Sequence, residues 1–522
     1  MHLFYAMDVP ADSPSLLDRF FAPEVAPERS VLWPRWIFLR CLGLIFFSAF
    51  YSLWFQIRGL IGPEGVLPAG EFLAGVAQSV PGLLRFWYVP SVLWAGSGNG
   101  ALLALAGGGL VASALLVGNV WPRGMTAVCF LLFVSFITAA QEFSSYQSDG
   151  MLLEAAFLCL FFAPRGVLPG MGIDQPPSRA SLFLLQWEWF RIYFESGLVK
   201  ILSGEEQWRN LTAMDRYYEN GPLPTWIGWY TQHLPHSFHA ATTLATLVIE
   251  LVLVWFVWFP RPVRLTCFAI ATLLQVGIIL TANYAFLNYL VLALGFLLLD
   301  DPALSRLGLR APAPRARSVP RWRLVGAAVV FVWIFYATLV PWVLGGLPGP
   351  FTFPARVLSP FRIANSYGLF AVMTRARDEI EFQGSRDGKT WTPYPFRYKP
   401  QDPKEAPGIY APYQPRFEWN LWFASLGPWQ QSPWVMNAEV RLLEASPDVL
   451  ALFRRDPFGG RPPTKVRAVL WQYWFSSPEE KEKTGRWWNR RLLGAYGPGV
   501  ERRPDGTVGV VEAPIISLRH DR

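Results

Sequence analysis

Cysteine is scarce in this 522-residue chain: the four present, Cys41, Cys129, Cys159 and Cys267, each fall inside an apolar run. They read as small packing residues and not as a disulfide framework. Also missing are a C-x-x-C pair, a Walker phosphate loop, a dinucleotide fingerprint and a serine nucleophile elbow, so the common local signals for redox, nucleotide and acyl-transfer chemistry are absent. The run Gly107-Gly108-Gly109 sits within an apolar span, where glycine permits close helix packing and does not cradle phosphate. Charge is sparse as well. Only 16% of residues are charged, against 52% hydrophobic, 25 Trp and 39 Phe, a balance that soluble proteins rarely show. The net charge of +8 comes mostly from Arg scattered in loops between apolar runs, as the positive-inside rule expects. That distribution argues against nucleic-acid binding, which concentrates basic residues on one face.

What is present is a series of apolar windows near the 20 residues that span a bilayer. They lie near 36–56, 101–119, 125–141, 150–163, 181–201, 239–259, 265–281, 285–300 and 324–346, about nine spans, with the window at 150–163 short. Residues 1–30 carry scattered charge and Pro10, Pro14, Pro23 and Pro27, so the run Trp36 to Gln56 is expected to act as an uncleaved anchor. Between Asp301 and Leu324 stand Arg306, Arg310, Arg315, Arg317, Arg321 and Arg323, which assigns that loop to the cytoplasm. Counting spans outward puts Arg123, Arg165 with Arg179, and Arg261 with Arg264 on the same face. The opposite face receives 57–100, 141–149, 202–238 and everything after about 347. With an odd number of spans the termini lie on opposite sides.

From Phe351 the pattern changes to short alternating segments. Ile380 and Phe382 alternate with Glu379, Glu381 and Gln383, and Asp387-Gly388 supplies a hairpin turn before Trp391, Tyr394, Phe396 and Tyr398. A third strand is expected at 464–475, and Ser477-Pro478-Glu479-Glu480 reads as a capping box opening a helix to about Leu493. The fold class is therefore a polytopic α-helical membrane domain over 1–348, followed by a mainly antiparallel β soluble domain over 349–522 with one late helix.

The window at 181–201 holds ionisable residues, which are costly in a membrane and usually mark function. Glu188, Arg191 and Glu195 stand at spacings of three and four on one helix face and can neutralise one another. Lys200 lies well round the helix from them, near its end, without an obvious local partner. Glu250, inside TLVIELVLVW, is the most isolated acid and a candidate partner for Arg40, Arg191 or Lys200; Glu154 reads the same way. His233, His236 and His239 are three apart, but Pro235 interrupts a regular helix between the first pair and no clear third and fourth ligands follow. No metal and no cofactor is expected. The aromatics of 202–238 and 410–435, among them Trp208, Tyr217, Tyr218, Trp226, Trp229, Tyr230, Trp419, Trp422, Phe423, Trp429 and Trp434, fall on one side of the membrane. Three uses compete for them: docking the soluble domain, a client surface, or lipid contact.

Gln186-Trp187, Arg191, the run SGLVKIL at 196–202, Trp208, Leu211-Thr212, Pro222-Leu223-Pro224-Thr225, Trp229-Tyr230 and His233 together resemble the lipase maturation factor family. Further matches are Asn365-Ser366-Tyr367-Gly368-Leu369-Phe370, EIEFQGSRDGKTW at 379–391 and APYQPRFEWNLWFA at 411–424, so the resemblance runs from about 30 to about 500. It implies a multi-pass protein that assists secreted clients such as lipases. The corresponding location is the endoplasmic reticulum membrane in a eukaryote or the inner membrane in a bacterium. The absence of Cys from the soluble part argues against disulfide exchange. Functional-motif candidates are Gln186, Trp187, Arg191, Glu195, Gly197, Lys200, Trp208, Thr212, Pro222, Pro224, His233 and Glu250. A shorter stretch, Tyr193-Phe194, Gly197, Lys200 and Trp208, with echoes in Gln56, Gly59, Leu60, Ile61, Gly62 and Gly65, resembles the vitamin K-dependent γ-carboxylase family. That likeness implies the alternative, an enzyme using Lys200 as base on a lipid or quinone-type substrate. Lys200 facing a lipid-accessible cavity would support the enzyme; an ion pair with Glu250 or Glu195 would not.

Overall fold

The computed structural model describes residues 15–144, 146–315, 318–343 and 349–511. Arg317, Pro10, Pro14 and residues 344–348 beside the expected domain division lie outside these. Each of the nine apolar windows contains a helix: α1 (Leu32–Ile61), α2 (Asn99–Val117), α3 (Pro122–Ala139), α4 (Gln147–Phe162), α5 (Arg179–Leu202), α6 (His236–Leu251), α7 (Arg261–Thr281), α8 (Leu287–Gly295) and α9 (Arg321–Val343). Six of them, α1, α2, α3, α6, α7 and α9, are long and apolar enough to cross a bilayer once the short turns flanking α1 and α6 are included. The remaining three fall short for visible reasons. Helix α4 has only 16 residues and carries Asp149 and Glu154, α5 is charged in mid-span, and α8 is a short apolar helix extended by a turn to Leu298.

The basic loops gather at one end of the bundle. Helix α1 has no side-chain cap of its own. Asp301, distant in sequence, accepts hydrogen bonds there from the Ser30 hydroxyl (2.5 Å) and the Leu32 and Trp33 amides (2.9 and 2.8 Å), supplying the acceptor that a helix N-terminus needs. Arg261 and Arg264 converge on Asp300 at 2.8 and 2.7 Å. Arg35 donates to the carbonyls of Met171, Gly172 and Gln175, and the Arg315 amide to that of Ile173.

At the opposite end stands an antiparallel sheet of β1 (Arg377–Ser385), β2 (Thr392–Pro393), β3 (Lys465–Phe475), β4 (Trp488–Ala495), β5 (Val500–Arg502) and β6 (Val508–Val510). The order is β2-β1-β3-β5-β6, with β4 also pairing β3. The expected hairpin is present, although its second strand is only Thr392–Pro393 and does not continue to Tyr398. Gly388 takes φ +70°, and the Asp387 carboxylate accepts from the Thr390 and Lys389 amides, which holds it well below the usual carboxylate range. Two expectations need correction. The helix opened by Ser477, whose hydroxyl accepts from the Glu480 amide, is only Pro478–Thr484, because Gly485 ends it in the left-handed conformation at φ +71°. Strand β4 occupies the rest of that stretch, its Trp488 packed on Phe475 with ring centroids 4.4 Å apart. Nor is the late helix the only one in this domain. Arg416–Ser425 (α10) and Trp434–Leu443 (α11) cover β1 and β3, and Pro478–Thr484 is α12. The aromatic segment that builds α10 and α11 lacks a simple periodicity because α10 is buried nearly all round.

The sheet domain is seated on the bundle. One continuous cluster of buried apolar residues runs from Phe38 in α1 to Val500 in β5. Each segment assigned to the non-basic face meets the sheet domain: Glu64 and Gly65 through Ser446 and Arg441, Asp149 through Arg416, and the 202–238 loop through Arg377 and Trp487. Docking is the main use of the aromatics. Trp208, Trp229, Trp419 and Trp434 are buried at this seam, while Trp226, Tyr230 and Phe423 keep about half their surface. Lys481 of α12 closes one edge, its ammonium 3.9 Å from the Trp487 ring centre and 4.7 Å from that of Trp229.

Candidate functional site

Helix α5 starts at a Ser178 cap and ends beside the 202–238 loop, so its four central charges point into the bundle. Arg191 does not rely on its own helix. It forms a buried salt bridge with Glu154 of α4, donates to the Asn365 carbonyl at 2.5 Å, and reaches Glu195 only at 3.9 Å. Glu188 is buried near Glu154 and Arg191 without joining these ion pairs, so the expected triad is replaced by a bridge between helices. The reason is geometric: α4 packs against α5 and presents Glu154 at closer range than the i,i+4 neighbour.

The motif Asn365-Ser366-Tyr367-Gly368-Leu369-Phe370 is where the chain after α9 returns to this charge cluster. Glu154 accepts from the Asn365 amide (2.9 Å), Glu195 from the Tyr367 amide (2.5 Å), and Gln147 from the Gly368 amide (2.8 Å). A side chain at Gly368 would meet Val199 at 2.9 Å, so the approach requires glycine. The Trp208 indole donates to the Phe370 carbonyl (2.9 Å), completing the seal from the loop side.

Lys200 has a partner after all. Its ammonium lies 2.7 and 2.9 Å from the two carboxylate oxygens of Glu250 and 2.6 Å from the Ser196 hydroxyl, with the Trp208 ring at 5.1 Å. Gly197 permits this by letting α6 approach, since a Cβ there would sit 2.9 Å from the Glu250 Cβ. The pair borders a cavity of about 400 Å³ between α5, α6, α7 and α8, roofed by the 202–238 loop and Tyr367. Beside it Gln275 donates to the Tyr193 hydroxyl (2.9 Å) and accepts from Asn288 (2.7 Å), a buried polar chain that the sequence reading missed.

The other candidates are dispersed. Gln186 donates to the Leu297 carbonyl and Trp187 to the Thr338 hydroxyl, both tying α5 to neighbouring helices. Thr212 bonds Asn210 within the loop, the Pro222 carbonyl accepts from Arg377, and Pro224 bridges to Ala282. His233 spans the carbonyls of Trp229 and Ser476, His236 faces Asp215, and His239 is buried at the start of α6. Among the described residues no group of three or more His, Cys, Asp or Glu gathers as a metal site. The sequence reading also missed Asp149 with Arg416, a bidentate pair at 2.8 Å, almost wholly buried, that joins α4 to α10. Asp149 lies at the edge of a short apolar window, where its charge gave no pattern.

Two family models match the chain. One, described as the lipase maturation factor transmembrane domain, covers residues 33–306; the other, the lipase maturation factor C-terminal domain, covers 363–498. The chain is a member of the lipase maturation factor family. Lipase maturation factor 1 of Bos taurus is 32% identical over 508 residues, covering 90% of this chain and 89% of the relative. Lipase maturation factor 2 of Homo sapiens is 31% identical over 594 residues, covering 90% and 82%. No solved structure matches. Both discriminators are met, since Lys200 borders the cavity and is also held in an ion pair with Glu250, so within this family frame the carboxylase-like alternative is not favoured.

Proposed function

We propose that this protein is a multi-pass membrane factor that assists the folding or maturation of secreted client proteins, lipases among them. The observation that carries the reading is the extent of the likeness: both the membrane part and the sheet domain align with proteins named lipase maturation factor, over nine-tenths of the chain. The client engages the sheet domain, which stands at the end of the bundle opposite the basic loops. Crosslinking through the sheet domain in secreting cells is expected to capture a secreted lipase or a similar client. Recovery of cytoplasmic proteins only would sink the proposal.

The accompanying topology has nine spans, with α4, α5 and α8 crossing inside a jacket of more apolar helices. The divide between membrane and soluble parts falls near residue 348, and the sheet domain faces the endoplasmic reticulum lumen or the bacterial periplasm. Separation of the Arg-rich loops from the sheet domain at opposite ends supports this arrangement. Reporters fused at 312 and at 450 are expected to read cytoplasmic and extracytoplasmic respectively. A cytoplasm-only reporter active at 450 overturns the topology.

A further inference from the structure

We propose that the cavity between α5, α6, α7 and α8 is a binding site for a bilayer lipid, which enters by one hydrocarbon chain and rests its uncharged ester or hydroxyl region against the Lys200–Glu250 floor. The inference rests on the membrane-spanning reading of α6 and α7 and is independent of which client is served.

At about 400 Å³, the cavity lies within the range that holds small amphiphilic ligands. Its lining reaches the outer surface of the bundle on α6 and α7 as well as the 202–238 loop at Thr231 and Leu234. Leu273 and Phe238 line it and are also 72% and 39% exposed on the outer surface of α7 and α6. Around the mouth, Leu244, Val248, Val276 and Leu280 continue the exposed apolar surface of both helices. With this surface against hydrocarbon, what reaches the opening is a lipid chain.

The floor explains why the head region is uncharged. The Lys200 ammonium donates to both oxygens of Glu250, and the Ser196 hydroxyl accepts a further hydrogen bond from it. An ionised head would enter beside a neutralised pair, with no free counter-charge to offset its desolvation. An ester carbonyl or a hydroxyl costs far less to bury and can exchange hydrogen bonds with a tyrosine-rich roof, where Tyr217, Tyr284 and Tyr367 converge. The lining is also open at its exposed rim. Gly277 lines the cavity, is itself exposed, and a Cβ added there meets no atom within 4 Å.

That open position supplies the test. The full chain is reconstituted in phosphatidylcholine nanodiscs containing a diacylglycerol with a diazirine on one acyl chain, irradiated and mapped by mass spectrometry. Label is expected on the cavity-lining faces of α6 and α7. Gly277→Phe should lower it roughly ten-fold, since losing room for about two buried methylenes weakens binding by that order, while the melting temperature stays unchanged. Leu273→Trp, at the exposed mouth, provides a second variant that needs no internal space. Label at the exposed α1 residue Leu44 reports bulk lipid and should not change. Equal cavity labelling in wild type and both variants, or label confined to outward-facing residues, overturns the site. Replacement of the lipid label by crosslinks to a client segment would overturn it too, giving the cavity to a peptide. Client capture through the sheet domain is read separately, so either proposal can fail alone.

Discussion

Arg416→Met is expected to destabilise the whole protein by about 3–5 kcal/mol, the usual cost of leaving one partner of a buried ion pair uncompensated. Against a total stability of roughly 5–15 kcal/mol, that is enough to abolish a monodisperse preparation. Arg416 binds both oxygens of Asp149 at 2.8 Å, donates to the Phe143 carbonyl, and lies over the rings of Phe136 and Tyr146 at 5.1 and 5.5 Å. Both side chains are almost wholly buried. Asp149 belongs to α4 and Arg416 to α10, so the pair is a buried ionic link between bundle and sheet domain. Adding Asp149→Leu removes the orphaned charge and should return much of the lost stability. A contrasting pair calibrates the experiment. Arg454 and Glu405 are just as close, 2.7 Å apart, but both are about half exposed, and Arg454→Met should cost no more than about 1 kcal/mol. Thermal unfolding in detergent distinguishes the two. Equal melting temperatures for Arg416→Met and Arg454→Met would mean that Asp149 is solvated or neutral in the folded protein.

The elements legible in the sequence were those whose signal is local. Long apolar windows, the Arg-rich loop and the Asp387-Gly388 turn each carry their reason within a few residues, and each is found in the structure. Helix α10 was not legible because burial on nearly every side removes the polar face that reveals a helix, whereas α11 does bury one face, at Trp434, Val435, Ala438, Glu439, Leu442 and Leu443, a helical spacing that the sequence reading missed. The site was half visible for a related reason. A charge in an apolar helix announces itself, but its partner is chosen by helix packing. Arg191 therefore pairs with Glu154 on another helix instead of Glu188 on its own, and Lys200 pairs with Glu250, fifty positions on. The sequence did offer Glu250 as a candidate partner of Lys200, but nothing in it tied Asn365 to Phe370 to this cluster, because there backbone amides, and not side-chain charges, meet Glu154 and Glu195.

The second large effect concerns Lys200. Lys200→Met leaves the Glu250 carboxylate buried in a membrane bundle with only Ser196 nearby, and a loss of about 3–5 kcal/mol is expected, as for any broken buried pair. Lys200→Arg keeps the charge, but its planar fork must fit a space shaped for an ammonium under Trp208, so partial retention of stability is expected. The deciding variant is Lys200→Met combined with Glu250→Leu. Both replacements approximate the original volumes and remove both charges, so melting temperature should return to within about 1 kcal/mol of wild type. If the pair only fastens α5 to α6 beneath the loop, secretion of active client lipase recovers together with stability. A double variant that is folded, reaches the membrane and fails to support the client would mean that the amine itself acts, and would restore the case for Lys200 as a base.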